Sequence, residues 1–281
     1  VEMGANHKKE IEFLCELAQP DYGYITNFGK AHLEGFGGVE GVIEGKSEMY
    51  HFLSDKNKLA FVNLEDPIQV EKTNSLQHYS FGINKSEANV SISEVTANPF
   101  VTVGFENLKI VSHLIGLYNA NNINAAIAIG RYFKIDKEAI KIALEGYIPE
   151  NNRSQLVTKG TNQIILDAYN ANPSSMAVAI ENFKQLDKSN KIAILGDMFE
   201  LGVESLQEHK QLVDSLSNQK DIICHFVGPD FFANSITGEN LFFHKDFTDL
   251  VSYMQIHPID KSTILIKGSR GMALERTLDY L

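Results

Sequence analysis

The sequence predicts an α/β protein of two successive domains, each built on a mostly parallel sheet, the first with a small antiparallel edge and the second Rossmann-like. Three observations predict it. Short apolar runs alternate with segments of helical periodicity along most of the chain, as in strands joined by helical crossovers. One stretch, His78 to Ser112, breaks that rhythm with short segments of period two. A third stretch, Tyr147-Ile148-Pro149-Glu150-Asn151-Asn152, has the composition of a linker. The expected domains are therefore 1–150 and 151–281.

Val1-Glu2-Met3-Gly4-Ala5-Asn6-His7 reads as the end of a buried strand turning into a helix, with Glu2 at the strand tip. Termini are normally exposed and loosely held. A core strand here suggests a piece of a larger protein, cut inside a domain. Ile11, Leu14, Cys15 and Ala18 then recur at helical spacing over 7–19, and Pro20 stops the helix. Tyr22 to Thr26 reads as a buried strand, followed by a polar, Gly-rich loop from Asn27 to Gly38. A helix is expected over 39–53, a strand from Lys58 to Asn63 and a short helix from Asp66 to Ser75. Within the irregular stretch, Val90 to Val95 and Phe100 to Val103 alternate as antiparallel edge strands do. Helices over 118–133 and 136–146 complete the first half.

The second half predicts strands at Ile164 to Asp167, Lys191 to Leu195, Ile222 to Val227 and Thr263 to Ile266. Between them, Met176, Ala179, Ile180 and Phe183 mark one face of a helix from Pro173 to Leu186. Further helices fall near 205–217, 246–256 and 271–280. Such sheets bind ligands beyond the carboxyl ends of their strands.

Composition narrows the function. A hydrophobic fraction of 43% with 22% charged residues describes a globular chain, and no apolar run approaches a membrane span. A net charge of −11 argues against non-specific nucleic-acid binding, which needs a basic face. Two cysteines, Cys15 and Cys224, without a CxxC neighbour, build no disulfide framework and suit a reducing cytoplasm. The expected state is a monomer.

Polar loops follow four of the expected strands: Asn27 to Gly35, Asp167 to Pro173, Gly196 to Glu200, and Lys267 to Gly271. The first group joins Glu2, which offers a carboxylate to a hard cation, with His32 and Lys46. An unliganded loop imidazole and a solvated lysine are the plainer readings of those two. Gly41-Val42-Ile43-Glu44-Gly45-Lys46-Ser47 imitates a P-loop but is one residue short of GxxxxGK[ST], and its pattern is helical. It is rejected, and no other segment supplies one. Asn119 and Asn122 open an Ala-rich helix, where they either cap it or read a base edge. Arg153 could reach a cleft between the domains and is suited to phosphate. Asn172-Pro173 is a helix start, which leaves Asp167, Tyr169 and Asn170 unexplained. Lys267, Ser269 and Arg270 would make an anion site at a strand-to-helix turn.

Taken together these motifs resemble the Mur ligases. The residues that carry the resemblance are Glu2 to His7, Thr26-Asn27 with Ala31 to Phe36, Gly45 to Glu48, and Tyr118-Asn119 with Asn122. It continues through Asp167 to Pro173, Leu195 to Met198 with Glu200 to Gly202, and Lys267 to Met272. Within that family the match is to the branch that adds D-Ala-D-Ala to a UDP-N-acetylmuramoyl-tripeptide. It implies an incomplete central ATPase domain followed by the family's C-terminal domain, with ATP and Mg²⁺ as cofactors and peptidoglycan precursors as substrates. It implies that Glu2, His32 and a carbamylated Lys46 hold Mg²⁺, that Asn119 and Asn122 contact adenine, and that Asp167 meets the ribose. Arg153 would touch the γ-phosphate, making Lys46, His32 and Arg153 the catalytic set. Tyr169, Asn170, Lys267, Ser269 and Arg270 would bind substrate. The family's UDP-sugar domain and P-loop have no counterpart in the sequence, so the chain by itself is expected to be inactive. Two alternatives stand beside this reading: another ligase of the Mur or folylpolyglutamate type, or a non-catalytic binding module derived from such an enzyme.

Overall fold

In the computed structural model, which describes residues 1–30, 32–150 and 152–281, the chain divides into two units, Val1–Ile148 and Pro149–Leu281. Ala31 of the His32 loop and Asn151 of the linker stretch lie outside the described residues.

The first unit opens without a strand. Residues 1–5 carry no regular secondary structure, so the expected opening strand is corrected to an irregular lead into helix α1 (Glu10–Ala18). Strand β1 (Tyr22–Tyr24) follows, then the single-turn α2 (Leu33–Phe36) and the long α3 (Val39–Asp55). After β2 (Leu59–Asn63), helix α4 (Pro67–Lys72) starts where Asp66 accepts hydrogen bonds from the Ile68 and Gln69 amides, with proline in the first turn. Strands β3 (His78–Ile83) and β4 (Val90–Ile92) complete a sheet of order β1-β2-β3-β4 in which every pairing is parallel.

The antiparallel segment expected over 78–112 is present but shorter than expected. Its first two strands belong to the parallel sheet. Only β5 (Glu94–Ala97), β6 (Phe100–Phe105) and β7 (Leu108–Ile115) are antiparallel, and they form a separate three-stranded sheet. Period-two alternation reports a half-buried strand but not the direction of its partner. Helices α5 (Ala120–Tyr132) and α6 (Lys137–Gly146) follow, and Ile123, Ile127 and Ile140 join Phe81, Val103 and Phe105 in one core.

The second unit has a six-stranded sheet. Strands β8 (Gln155–Lys159) and β9 (Asn162–Asp167) form an antiparallel hairpin. Then come α7 (Pro173–Gln185), β10 (Lys191–Gly196), α8 (Ser205–Ser217), β11 (Ile222–Val227), α9 (Pro229–Ala233), β12 (Leu241–His244), α10 (Phe247–Ile256) and β13 (Thr263–Lys267). The order is β12-β11-β10-β13-β9-β8, parallel except at β8. Because β13 lies between β10 and β9, the carboxyl ends of these three strands stand side by side, where doubly wound sheets place their ligands. The helix expected over 271–280 is instead two 3₁₀ segments, Arg270–Met272 and Leu274–Tyr280, separated by Ala273 in a left-handed conformation (φ 47°).

Candidate functional site

In the first unit a cavity of about 560 Å³ lies along β1, lined by Glu2, Met3, Thr26 and Lys46 among others. Helix α3 delivers Lys46 to it. The Lys46 ammonium donates to the Asn27 carbonyl at 2.7 Å, and burial pulls its pKa below the usual lysine value, opposed by the Asp66 carboxylate. Glu2 is exposed at the same cavity. His32 precedes α2 with φ 54° and is not among the lining residues. Among the described residues no three His, Cys, Asp or Glu side chains cluster to hold a metal ion. The cation chemistry expected of Glu2, His32 and Lys46 thus has a shared wall for two of the three, and Lys46 offers no oxygen donor as an amine.

Two glycines decide how α3 sits. A Cβ on Gly41 would lie 1.9 Å from the Phe36 carbonyl oxygen, and one on Gly45 would lie 2.4 Å from the Phe36 ring. The glycines that imitate a P-loop therefore make room for α2 inside a helix. Glu48, which sequence reasoning passed over, is 9% exposed and accepts from the Lys9 and Glu12 amides at 2.6 and 3.0 Å. Glu44 of the same helix pairs with Lys8. One side of α3 thus pins the start of α1, and Lys46 serves the strand-end loop.

Asn119 is buried; its amide donates to the Ile115 carbonyl at 2.8 Å and its oxygen accepts from Asn122 at 3.2 Å. Its side chain therefore ties the helix start to the end of β7 and makes no cap hydrogen bond to α5. Asn122 is the exposed amide of the two.

The second unit gathers most of its predicted residues. The Asp167 carboxylate ends β9, taking the Ser154 amide at 3.1 Å on one oxygen and the Lys267 ammonium at 2.7 Å on the other. Lys267 is 2% exposed and also donates to the Asn170 carbonyl at 3.1 Å. Ser269 is buried; its hydroxyl accepts from the Phe199 amide at 2.9 Å and donates to the Ala171 carbonyl at 3.4 Å. As placed, Lys267 and Ser269 join strand-end loops to one another. Arg270 is exposed and pairs with Glu275 at 3.0 Å, and Asn170 is exposed. The Arg153 guanidinium lies 3.8 Å over the Tyr169 ring. Asn172 and Ser175 form a reciprocal capping box at the start of α7.

A network unsuspected from sequence fixes the neighbouring loop. Asp197, 1% exposed, accepts from the Asp230 and Phe231 amides at 2.9 and 3.0 Å, which offsets part of the upward pressure of burial on its carboxyl. The Met198 amide donates to His209 Nε2 at 2.9 Å, so the hydrogen sits on Nδ1, 2.7 Å from the Ser205 carbonyl. In that tautomer the 3.7 Å approach of His209 to Asp197 is no ion pair. His209 gave no sequence signal, being one polar residue on an amphipathic helix.

Comparison with known proteins explains why these loops occur together. The Mur ligase middle domain matches residues 1–130, and the Mur ligase glutamate ligase domain matches residues 152–270. The chain belongs to the Mur ligase family. It is 33% identical over 291 residues to the UDP-N-acetylmuramoyl-tripeptide–D-alanyl-D-alanine ligase of Bacillus subtilis, covering 100% of this chain and 63% of that one. To the ligase of the same name from Rickettsia prowazekii it is 30% identical, covering 99% and 65%. Among solved structures, MurF of Acinetobacter baumannii superposes with a TM-score of 0.84 at 28% identity, over 98% of this chain and 62% of that one. The chain thus spans less than two thirds of the length of these Mur ligases.

Proposed function

We propose that this chain supplies the middle and C-terminal domains of an ATP-dependent ligase of peptidoglycan precursor synthesis. The reaction joins D-Ala-D-Ala to a UDP-N-acetylmuramoyl-tripeptide in the cytoplasm. The tripeptide's terminal carboxylate takes the γ-phosphoryl group of ATP, releasing ADP and leaving an acyl phosphate. The dipeptide's amine then attacks the acyl carbon, the amide forms, and phosphate leaves with the C–O bond pair. The observation that carries this reading is Lys46, drawn below its ordinary pKa by burial and sharing a cavity with Glu2, in a chain matched along its whole length by ligases of that name.

The neutral amine is the form that adds carbon dioxide, so burial prepares Lys46 for carbamylation. A carbamate would present oxygens beside the Glu2 carboxylate, a donor set suited to Mg²⁺, with His32 as a further candidate. Bound there, the ion would offset negative charge on the phosphates. Arg153 is suited to the transferred phosphoryl group, because its planar donors match phosphate oxygens. Asp167 holds the start of β8 and the Lys267 ammonium, keeping the loop beneath a nucleotide in one arrangement. Asn122 is the amide available to adenine, with Asn119 behind it. Arg270 and Asn170 are the exposed groups left for the dipeptide.

Phosphoryl transfer depends on positioning and charge stabilisation, and no segment of the chain forms a P-loop. ATP-dependent phosphate release with both substrates is therefore expected from a version extended upstream to the natural start codon, and not from this chain alone. Silence in both versions would remove the proposal and favour a non-catalytic module.

A further inference from the structure

Arg153 and Tyr169 reach each other from the two ends of the β8–β9 hairpin. Arg153 stands two residues before β8 and Tyr169 two residues after β9, and Gln155 pairs with Leu166 between them. The Arg153 guanidinium carbon lies 3.8 Å from the Tyr169 ring centroid, well inside cation–π range. A second contact fixes the same junction, since the neighbouring Ser154 amide donates to Asp167. Arg153 is exposed and the Tyr169 ring is 40% exposed. Among the described residues no carboxylate pairs with Arg153, whereas the two other cations of these loops are committed, Lys267 to Asp167 and Arg270 to Glu275.

Stacking uses the face of a guanidinium and leaves the N–H donors on its edge available. A long, rotamer-rich side chain is thereby held before any anion arrives, which lowers the ordering cost of binding one. We propose that Tyr169 is a positioning residue, whose ring fixes Arg153 at the carboxyl end of β9 with its edge donors open to a phosphate group of the nucleotide. This rests on the ligase reading for the identity of the anion, but the stack itself does not. The ring carries the role and the phenolic hydroxyl does not.

Two measurements test it. In this chain, ring current should shift the Arg153 side-chain protons in the NMR spectrum; the shift persists in Tyr169→Phe and disappears in Tyr169→Leu. In the version extended to its natural start codon, Tyr169→Leu should raise the KM for ATP about fivefold, the order of an exposed cation–π contact. Tyr169→Phe should behave as the parent does, and Tyr169→Leu should add little in an Arg153→Ala background. An unshifted Arg153 spectrum, equal losses from the Phe and Leu variants, or additive effects of the two substitutions would each overturn the assignment. If the shift is present but the extended protein ligates nothing, the ligase reading fails and the stack stands. If it ligates and Tyr169→Leu leaves the KM for ATP unchanged, the positioning role fails alone.

Discussion

Lys267 and Asp167 face each other in the parallel ladder of β13 and β9, so their contact is a cross-strand pair between positions 100 apart in sequence. Polar residues at these strand ends are visible in the sequence; their pairing is not, because register across a parallel sheet leaves no local trace. Breaking a buried pair costs more than the pair contributes, since one charge is left without a partner. Lys267→Met is therefore expected to lower unfolding stability by about 3 kcal/mol, and adding Asp167→Asn should recover part of the loss. Urea titration of the two variants measures this, and a double variant weaker than the single one would contradict it. His225 and His244 give a second expectation. They are buried, stacked, and joined by a 3.0 Å hydrogen bond, with Tyr253 against both rings. Burial, then the neighbouring His244, lowers the His225 pKa from 6.5 to about 3; burial also lowers His244, against the pull of Asp249. The unfolded chain binds protons first, so the contribution of the neutral pair is complete above about 6.5 and is lost as pH falls toward about 3. Urea midpoints should decline over that window, and His225→Gln should flatten the decline.

Helix α3 shows how far a local pattern can mislead. Its glycines and lysine suggest phosphate binding, and the missing residue and the helical periodicity argue against it. Sequence alone could not say what the glycines are for, because their partner Phe36 is defined only once α2 has folded. The consequence is a prediction of sign. Helix propensity alone makes Gly→Ala stabilising by roughly 1 kcal/mol. At Gly41 the added methyl would meet the Phe36 carbonyl, a backbone atom that cannot turn aside. Gly41→Ala should therefore destabilise by about 2 kcal/mol or more, whereas the same change at the open helix-end position Gly146 should be neutral or stabilising. The same helix gives a milder case. Glu48 satisfies two amides at the start of α1, and Glu48→Ala should cost about 1 kcal/mol by loss of that cap. Thermal or urea unfolding orders the three variants. A Gly41→Ala chain as stable as its parent would mean that α2 and α3 do not pack as described.

At the scale of the whole molecule, the α/β class was legible because each parallel strand is a short apolar run followed by a crossover of helical period. In the second unit three strands or α-helices escaped. Strand β8 carries mixed residues on a sheet edge, β12 is four residues long, and α9 is one turn opened by proline. Elements this short hold together through their neighbours, so their own sequences say little. The second unit nevertheless contains everything a folding unit needs. Ile164, Leu166, Ile192, Ile194, Val227, Ile264 and Ile266 build one core from four adjacent strands. All six strands of its sheet come from residues 155–267, and α7, α8 and α10 are each 10 residues or longer. A unit of this size with its own core should fold alone. Residues 149–281 expressed by themselves are expected to unfold in one cooperative urea transition with the far-UV dichroism of an α/β domain. The Arg153–Tyr169, Asp167–Lys267 and His225–His244 contacts lie wholly inside that segment, so their NMR and pH signatures should carry over unchanged. A non-cooperative transition, or loss of those signatures, would show that the strand-end loops depend on residues 1–148.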